Sequence, residues 1–145
     1  MTVYLPDVNV IVASLRSDHP HHQPALAFLR DARESGSAFA VPVDVIASAL
    51  RVLTLDVWLE PETSESAGRL ISDWLNAAGA EAVAHPPVTW TVLAEFARTL
   101  SLTPRSVPDA LLAASAITSR SRLATFDRGF SRYPGLGVEL LKPTR

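Results

Sequence analysis

Cysteine is absent from the chain, which excludes a disulfide framework and a thiolate metal site. No apolar run reaches the ~18 residues that a membrane-crossing helix needs. The opening MTVYLPDVNVIVASLRSDHP lacks the basic segment and small-residue cleavage site of a secretory signal. The expectation is a cytoplasmic protein that makes no use of a membrane. Lysine is nearly missing: twelve of the thirteen basic residues are arginine, and the exception is Lys142. Arginine suits bidentate phosphate contact and stacking on bases, although a GC-rich coding sequence gives the same bias. A net charge of −2 argues against coating nucleic acid by bulk charge and leaves room for a local patch aided by a metal. There is no glycine-rich phosphate loop, no G-x-S-x-G elbow and no H-E-x-x-H pair. His19, His21 and His22 sit with Pro20 in a polar turn, so no histidine metal site is expected.

What is present reads as one globular domain over residues 1–145, with 48% hydrophobic and 19% charged residues, enough for a single core. Short apolar runs bounded by turn residues, TVYLP, AFAVP, EAVAH, RLATF and GVELL, read as strands. Between them lie helix-like segments. In HHQPALAFLRDARES, Ala25, Phe28, Leu29 and Ala32 fall at i, i+3, i+4, i+7 spacing, the stripe of an amphipathic helix. NVIVASL, VDVIASALRVLTL, ETSESAGRLISDWLNAAG, TWTVLAEFARTLSL and SVPDALLAASAITS complete the helical set. Alternation of short buried strands with helices predicts an α/β fold, with a mainly parallel sheet flanked by helices. In such sheets ligands bind beyond the carboxyl ends of the strands.

Four aspartates fall at such ends. Asp7 and Asp127 follow strand-like runs, and Asp44 and Asp109 open helices. Carboxylates gathered from distant segments are what a hard divalent ion such as Mg²⁺ or Mn²⁺ takes as ligands. Each also has a plainer account. Asp7 is a natural N-cap, with Asn9 as a turn residue. Ser106 and Asp109 have a spacing close to a capping box. Asp127, with Arg128 and Gly129, makes a turn; Thr125 is a candidate to add a hydroxyl to the site. Asp44 follows Pro42 as a helix start. Arg51, Arg128 and Arg132 are candidates for RNA or partner contact, or for pairing with the acids. Trp58, Trp74 and Trp90 read as core or interface anchors.

The segments PDVNVIVASL, ALRVLT and SVPDALLAASAITSRSRLATFDRGFSRYPGLGVELL together resemble a PIN-domain ribonuclease, and within that group a VapC-type toxin of a VapBC toxin–antitoxin pair. The resemblance covers nearly the whole chain. It implies a PIN-like α/β/α sandwich, and an Mg²⁺- or Mn²⁺-dependent endoribonuclease that inhibits translation. Its acidic site falls on Asp7, Asp109 and Asp127 as metal ligands. A further acid belongs in the helix after the second strand. Many relatives carry a glutamate where this chain has Ser48, and others an acid nearer the helix start, where it has Asp44. If Asp44 points away, the site has three acids. The resemblance also implies a VapB-type antitoxin that wraps the toxin, and a homodimer. Two alternatives share the fold: an inactive binding module, which loss of an acid would mark, and a nuclease acting on DNA structures, which usually carries extra segments. A dehalogenase-like phosphatase is disfavoured, because it needs D-x-D-x-T where this chain has D-V-N-V-I.

Overall fold

The computed structural model describes residues 1–143. Its elements run β1 (Val3–Pro6), α1 (Val8–Leu15), α2 (His22–Glu34), β2 (Ala38–Pro42), α3 (Val43–Leu53), α4 (Ser64–Ala78), β3 (Glu81–Val83), α5 (Thr89–Leu100), α6 (Val107–Thr118), β4 (Arg122–Thr125) and β5 (Val138–Leu140). Two short 3-10 turns, Pro104–Ser106 and Arg128–Arg132, precede α6 and follow β4. The strands form one sheet in the order β3-β2-β1-β4-β5, and every pairing is parallel. The expected α/β architecture is therefore observed, with all strands pointing the same way.

The three central strands β1, β2 and β4 are short and apolar because they are covered from both sides, whereas the edge strands β3 and β5 each carry a glutamate and bury no residue fully. Leu5, Phe39, Val41 and Leu123 are at most 2% exposed, and together with Val12, Ala49, Leu53, Ile71 and Phe96 they form the main core. α1 packs against α2 and α3, α3 against α4, and α5 against α6. Helix α6 is enclosed along its middle: Ala110, Leu112, Ala113, Ala114, Ser115 and Ala116 are all buried. Its small side chains let the helix approach closely, and their removal from water on most sides explains why no narrow apolar stripe is legible there. α4 starts at the N-cap Thr63, whose side chain accepts from the Ser66 amide, and ends at Gly79, which takes the left-handed conformation at φ 61° that glycine adopts without penalty.

The strand order sets the position of the site. From the central β1, the chain moves outward to β2 and β3, then returns to β4 and β5 on the other side. The crevice where the order reverses lies at the carboxyl ends of β1 and β4. In the β1–β4 register Pro6 pairs with Ala124, so Asp7 and Thr125 come next on neighbouring strands. The Asp7 amide donates to the Ala124 carbonyl at 3.0 Å.

Several boundaries differ from those expected. α3 stops at Leu53 rather than running to Leu55, and β3 stops at Val83, leaving His85 beyond the strand end. The Ser106–Asp109 capping box does not form. Instead the Ser106 hydroxyl serves Thr103: the Thr103 amide donates to it at 3.0 Å, and the Thr103 side chain accepts from the Ser106 amide. The three tryptophans separate. Trp74 is in the core, Trp58 lies beneath the Arg16 guanidinium at 4.6 Å, and Trp90 is 68% exposed. Among the described residues no helix is long and apolar enough to cross a membrane.

Candidate functional site

Asp7 closes β1 and caps α1. Its Oδ1 accepts from the Val10 amide at 3.0 Å, and its Oδ2 accepts a short hydrogen bond from the Thr125 hydroxyl. The capping account of Asp7 is thus correct, and it leaves the carboxylate only 7% exposed. Burial is the main force on its proton: it pushes Asp7 up from 3.8 to about 6, against the two hydrogen bonds, and the negative charges of Asp109 and Asp127 push the same way. Asp109, three residues into α6, is also raised, first by burial and then by Asp127. With the capping duty taken over by Thr103 and Ser106, its carboxylate has no hydrogen-bond or ion-pair partner among the described residues.

Asp127 follows β4. Its Oδ1 accepts from the Gly129 amide at 2.7 Å, and its own amide donates to Thr125 Oγ1 at 3.0 Å. Thr125, fully buried, therefore ties two of the acids together. Space is tight at Gly129: an added Cβ would stand 3.0 Å from Asp127 Oδ1, close enough that the carboxylate must shift. Gly129→Ala is expected to turn the Asp127 carboxylate and cut turnover roughly tenfold, with melting changed by little, since exposed substitutions outside the core move stability by only about 0.5 kcal/mol. Unchanged turnover in a steady-state assay would separate Asp127 from the reaction.

Asp7, Asn9, Asp44, Asp109 and Asp127 line one cleft of about 250 Å³, with Val45, Ser48, Leu112 and Phe130 in its walls. Asp44 does not cap α3, whose N-cap, Pro42, makes no side-chain bond. Its Oδ1 instead meets His85 Nε2 at 2.7 Å, and His85 Nδ1 meets the Ser115 hydroxyl at 2.8 Å. His85 was missed by the sequence reading. The available signal was the one used for the acids: a polar residue just past a strand, here EAVAH. Ser48 also lines the cleft, where it offers a hydroxyl and no charge.

The arginines are not drawn into the acids. Arg132 donates to the Leu100 carbonyl at 3.2 Å and lies over the Tyr133 ring at 5.4 Å, so it fastens the turn after β4 to the end of α5. Arg128 lines a neighbouring hollow with Asp127 and Ser131. Arg51 is exposed in the last turn of α3. Among the described residues no basic side chain other than His85, on Asp44, forms an ion pair in the cleft. A larger hollow, about 350 Å³, opens beside Arg16, Asp18, Glu60 and Glu62. There Arg16 already pairs with Asp18 at 2.7 Å and with Glu62 at 3.8 Å, whereas the acid cleft holds no arginine, among the described residues, against Asp7, Asp109 and Asp127, so it is the more demanding site.

The donor set is all oxygen, and like charges are held close without a basic partner. That combination favours a hard divalent cation. Among the described residues no three His, Cys, Asp or Glu side chains stand close enough together, as they are, to hold a metal ion between them. The arrangement suits an ion that keeps much of its water and takes a few carboxylates, as Mg²⁺ does.

Comparison with known proteins agrees with this fold. The sequence profile of the PIN domain matches residues 4–136. A VapC ribonuclease of Mycobacterium bovis, Mb2897, is 27% identical over 128 residues, covering 88% of this chain and 87% of its own. Ribonuclease VapC37 of Mycobacterium tuberculosis is 27% identical over 132 residues, covering 90% and 91%. Among solved structures, VapBC2 of Rickettsia felis bound to a promoter DNA fragment superposes with a TM-score of 0.73 at 18% identity, over 97% of this chain and 100% of that one. VapC20 of Mycobacterium tuberculosis, described as a sarcin-ricin loop cleaving toxin, gives 0.64 at 12% identity, over 92% and 98%. At these identities the superpositions speak for the fold.

Proposed function

Because the chain belongs to the PIN-domain family, we propose that it is the toxin of a VapBC-type toxin–antitoxin pair: a divalent-metal-dependent endoribonuclease that hydrolyses RNA phosphodiester bonds in the cytoplasm and so stops translation. The relatives' names, VapC ribonucleases, support this reading. The observation that carries it is the cluster of Asp7, Asp109 and Asp127, unmatched by any basic side chain among the described residues, with Asp7 held near a pKa of about 6. A fold tolerates such repulsion where a cation from outside relieves it.

In this account Asp7 and Asp109 hold Mg²⁺, for which Mn²⁺ substitutes, and Asp127 joins directly or through water. An ion held by these carboxylates would supply an acidified water and positive charge against the phosphate. The chain's own groups supply the geometry. Thr125 and the Val10 amide fix the orientation of Asp7. Asn9 presents a carboxamide to the cleft, and Asp44, held by His85, sets its opposite wall. Arg128, beside Asp127, and Arg51 contact substrate phosphates. The products carry 5′-phosphate and 3′-hydroxyl ends.

A VapB-type antitoxin covers the cleft and places a basic side chain among the acids. Neighbouring structures named as VapBC complexes support such a partner. Exposed Trp90 and Val88, at the start of α5, provide apolar surface for a homodimer. The apolar face of α3 is less available, since Val45, Ala49 and Leu53 already lie in the core.

Two measurements bear on this reading. Mg²⁺ at ten times its Kd is expected to stabilise the fold by about 1.4 kcal/mol, a rise of a few degrees in melting temperature, at pH 7.5. No shift in a divalent titration would contradict a site formed before substrate arrives. Expression of the chain alone in a bacterial host, with RNA ends mapped by sequencing, should give growth arrest and discrete new 5′-phosphate ends. A folded, antitoxin-free protein that produces neither overturns the proposal.

A further inference from the structure

The turn between α1 and α2, dismissed above as a polar loop, places its rings in a row leading to the acid cleft. His21 stacks on Phe126, with centroids 4.7 Å apart and planes at 24°. His19 lies 5.6 Å from His21, and Trp58 lies 6.0 Å beyond His19. At the far end the row is closed by Arg16 over Trp58 at 4.6 Å. At the near end Phe126 sits in sequence between Thr125 and Asp127. His19, His21 and Phe126 wall a hollow of about 390 Å³, whose remaining lining is Asn9 and Asp127. Those two residues also line the acid cleft, so the two spaces share a wall.

Of the three rings His19 alone helps to hold the turn, its Nδ1 accepting from the His21 amide at 2.9 Å, and the rest of the turn does not depend on them. Its backbone is already tied by the Arg16 amide to the Val12 carbonyl at 3.0 Å and the His19 amide to the Arg16 carbonyl at 3.1 Å. His22 Nδ1 adds a bond to the Ala13 carbonyl at 2.7 Å. His21 Nδ1 has no hydrogen-bond partner, so this atom ties the ring to nothing; the ring's contribution is its faces and edges. His19, His21 and Phe126 are each half-buried, where rings serving only as core would be covered. Unpaired RNA bases, splayed out of their stacks, are recognised by such surfaces, with Phe and His among the rings that receive them. Stacking tolerates any base, because every base has a π face.

We propose that His19, His21 and Phe126 form a base-stacking subsite, which receives the unpaired base of the nucleotide adjoining the phosphate held in the acid cleft. The inference rests on the ribonuclease reading and adds to it a preference for single-stranded or looped RNA. Bases inside a duplex are stacked on their neighbours and do not reach the rings.

The test uses single-stranded RNA oligonucleotides derived from a mapped cleavage site. Each carries 2-aminopurine or an abasic residue at one position, and binding is measured in EDTA. With the wild-type protein, 2-aminopurine fluorescence is expected to be quenched at one position beside the cleaved bond. An abasic residue there should weaken binding about tenfold. His21→Ala should show the same loss with intact RNA and no further loss with the abasic RNA, and His21→Phe should restore binding. Wild-type binding indifferent to the abasic residue overturns the subsite without relying on any variant. So does a His21→Ala loss that adds in full to the abasic loss. If His21→Ala weakens capture of the antitoxin and leaves RNA binding intact, the rings serve a protein partner instead and the proposal fails. Cleavage of the same RNAs in Mg²⁺ keeps the two ideas apart. Cleavage with abasic-insensitive binding removes the subsite alone. Abasic-sensitive binding without cleavage by the purified chain upholds the subsite, assigns the ends mapped in cells to another nuclease and removes the hydrolytic reading.

Discussion

Asp7→Asn is expected to lower metal-dependent RNA cleavage at least about 1,000-fold, a loss near 4 kcal/mol of transition-state stabilisation, and to raise the melting temperature in EDTA at pH 7.5. The two effects have opposite signs and one cause. Asp7 is 7% exposed, and its pKa is about 6 against an ordinary 3.8. An acid raised on folding contributes stability that is fully present below about pH 4 and is lost as pH climbs through 6. At pH 7.5 its charge therefore opposes the fold, by at most roughly 3 kcal/mol for a shift of this size. Asparagine removes that charge. Its side-chain oxygen still accepts from the Val10 amide, and asparagine is a good N-cap. A gain of several degrees is expected in a melt without divalent ions. The same account has the wild-type protein melting higher at pH 5 than at pH 7.5 in EDTA, with the difference shrinking as Mg²⁺ is added. An Asp7→Asn protein that is less stable at pH 7.5 would mean that the carboxylate is held for the fold's sake.

Asp109→Asn is expected to reduce cleavage about 100-fold and to leave the melting temperature nearly unchanged. Asp109 has no partner to lose among the described residues, and Thr103 with Ser106 forms the turn ahead of its helix. As an acid in the first turn of α6, it gains about 0.3–1 kcal/mol from the helix dipole. Burial and the charge of Asp127, which raise its pKa, act in the other direction. The substitution thus leaves the fold near balance and removes an oxygen donor with nothing else to bind. The Mg²⁺ concentration for half-maximal activity should rise in the same variant. Wild-type metal dependence combined with reduced turnover would place Asp109 on the substrate rather than the ion.

The parts of this structure legible in the sequence are those written in adjacent residues. Short apolar runs marked the five strands, and an acid after a strand marked Asp7 and Asp127. The block from Ser106 to Leu141 carried the resemblance because its helix, strand and following turn are contiguous. What escaped depends on contacts across the chain. His85 meets Asp44 over 41 residues, and Thr125 meets Asp7 over 118. Neither pairing leaves a local pattern. Ser106 was misassigned because a capping spacing fits two registers, and the turn at Pro104 decided for Thr103. Arg132, a candidate for RNA or partner contact, stays exposed but spends one guanidinium nitrogen on the Leu100 carbonyl, 32 residues away. The histidines of the DHPHH turn were judged by metal-ligand spacing, which said nothing about their stacking on Phe126.

The most direct measurement is cleavage of total cellular RNA by the purified chain, in Mg²⁺ and in EDTA, for wild type and for Asp7→Asn shown by its melt to be folded. The account predicts discrete fragments with wild type in Mg²⁺, and none in EDTA or with the variant. Fragments that persist with folded Asp7→Asn, or in EDTA, would contradict a metal-dependent site built on the carboxylates of this cleft.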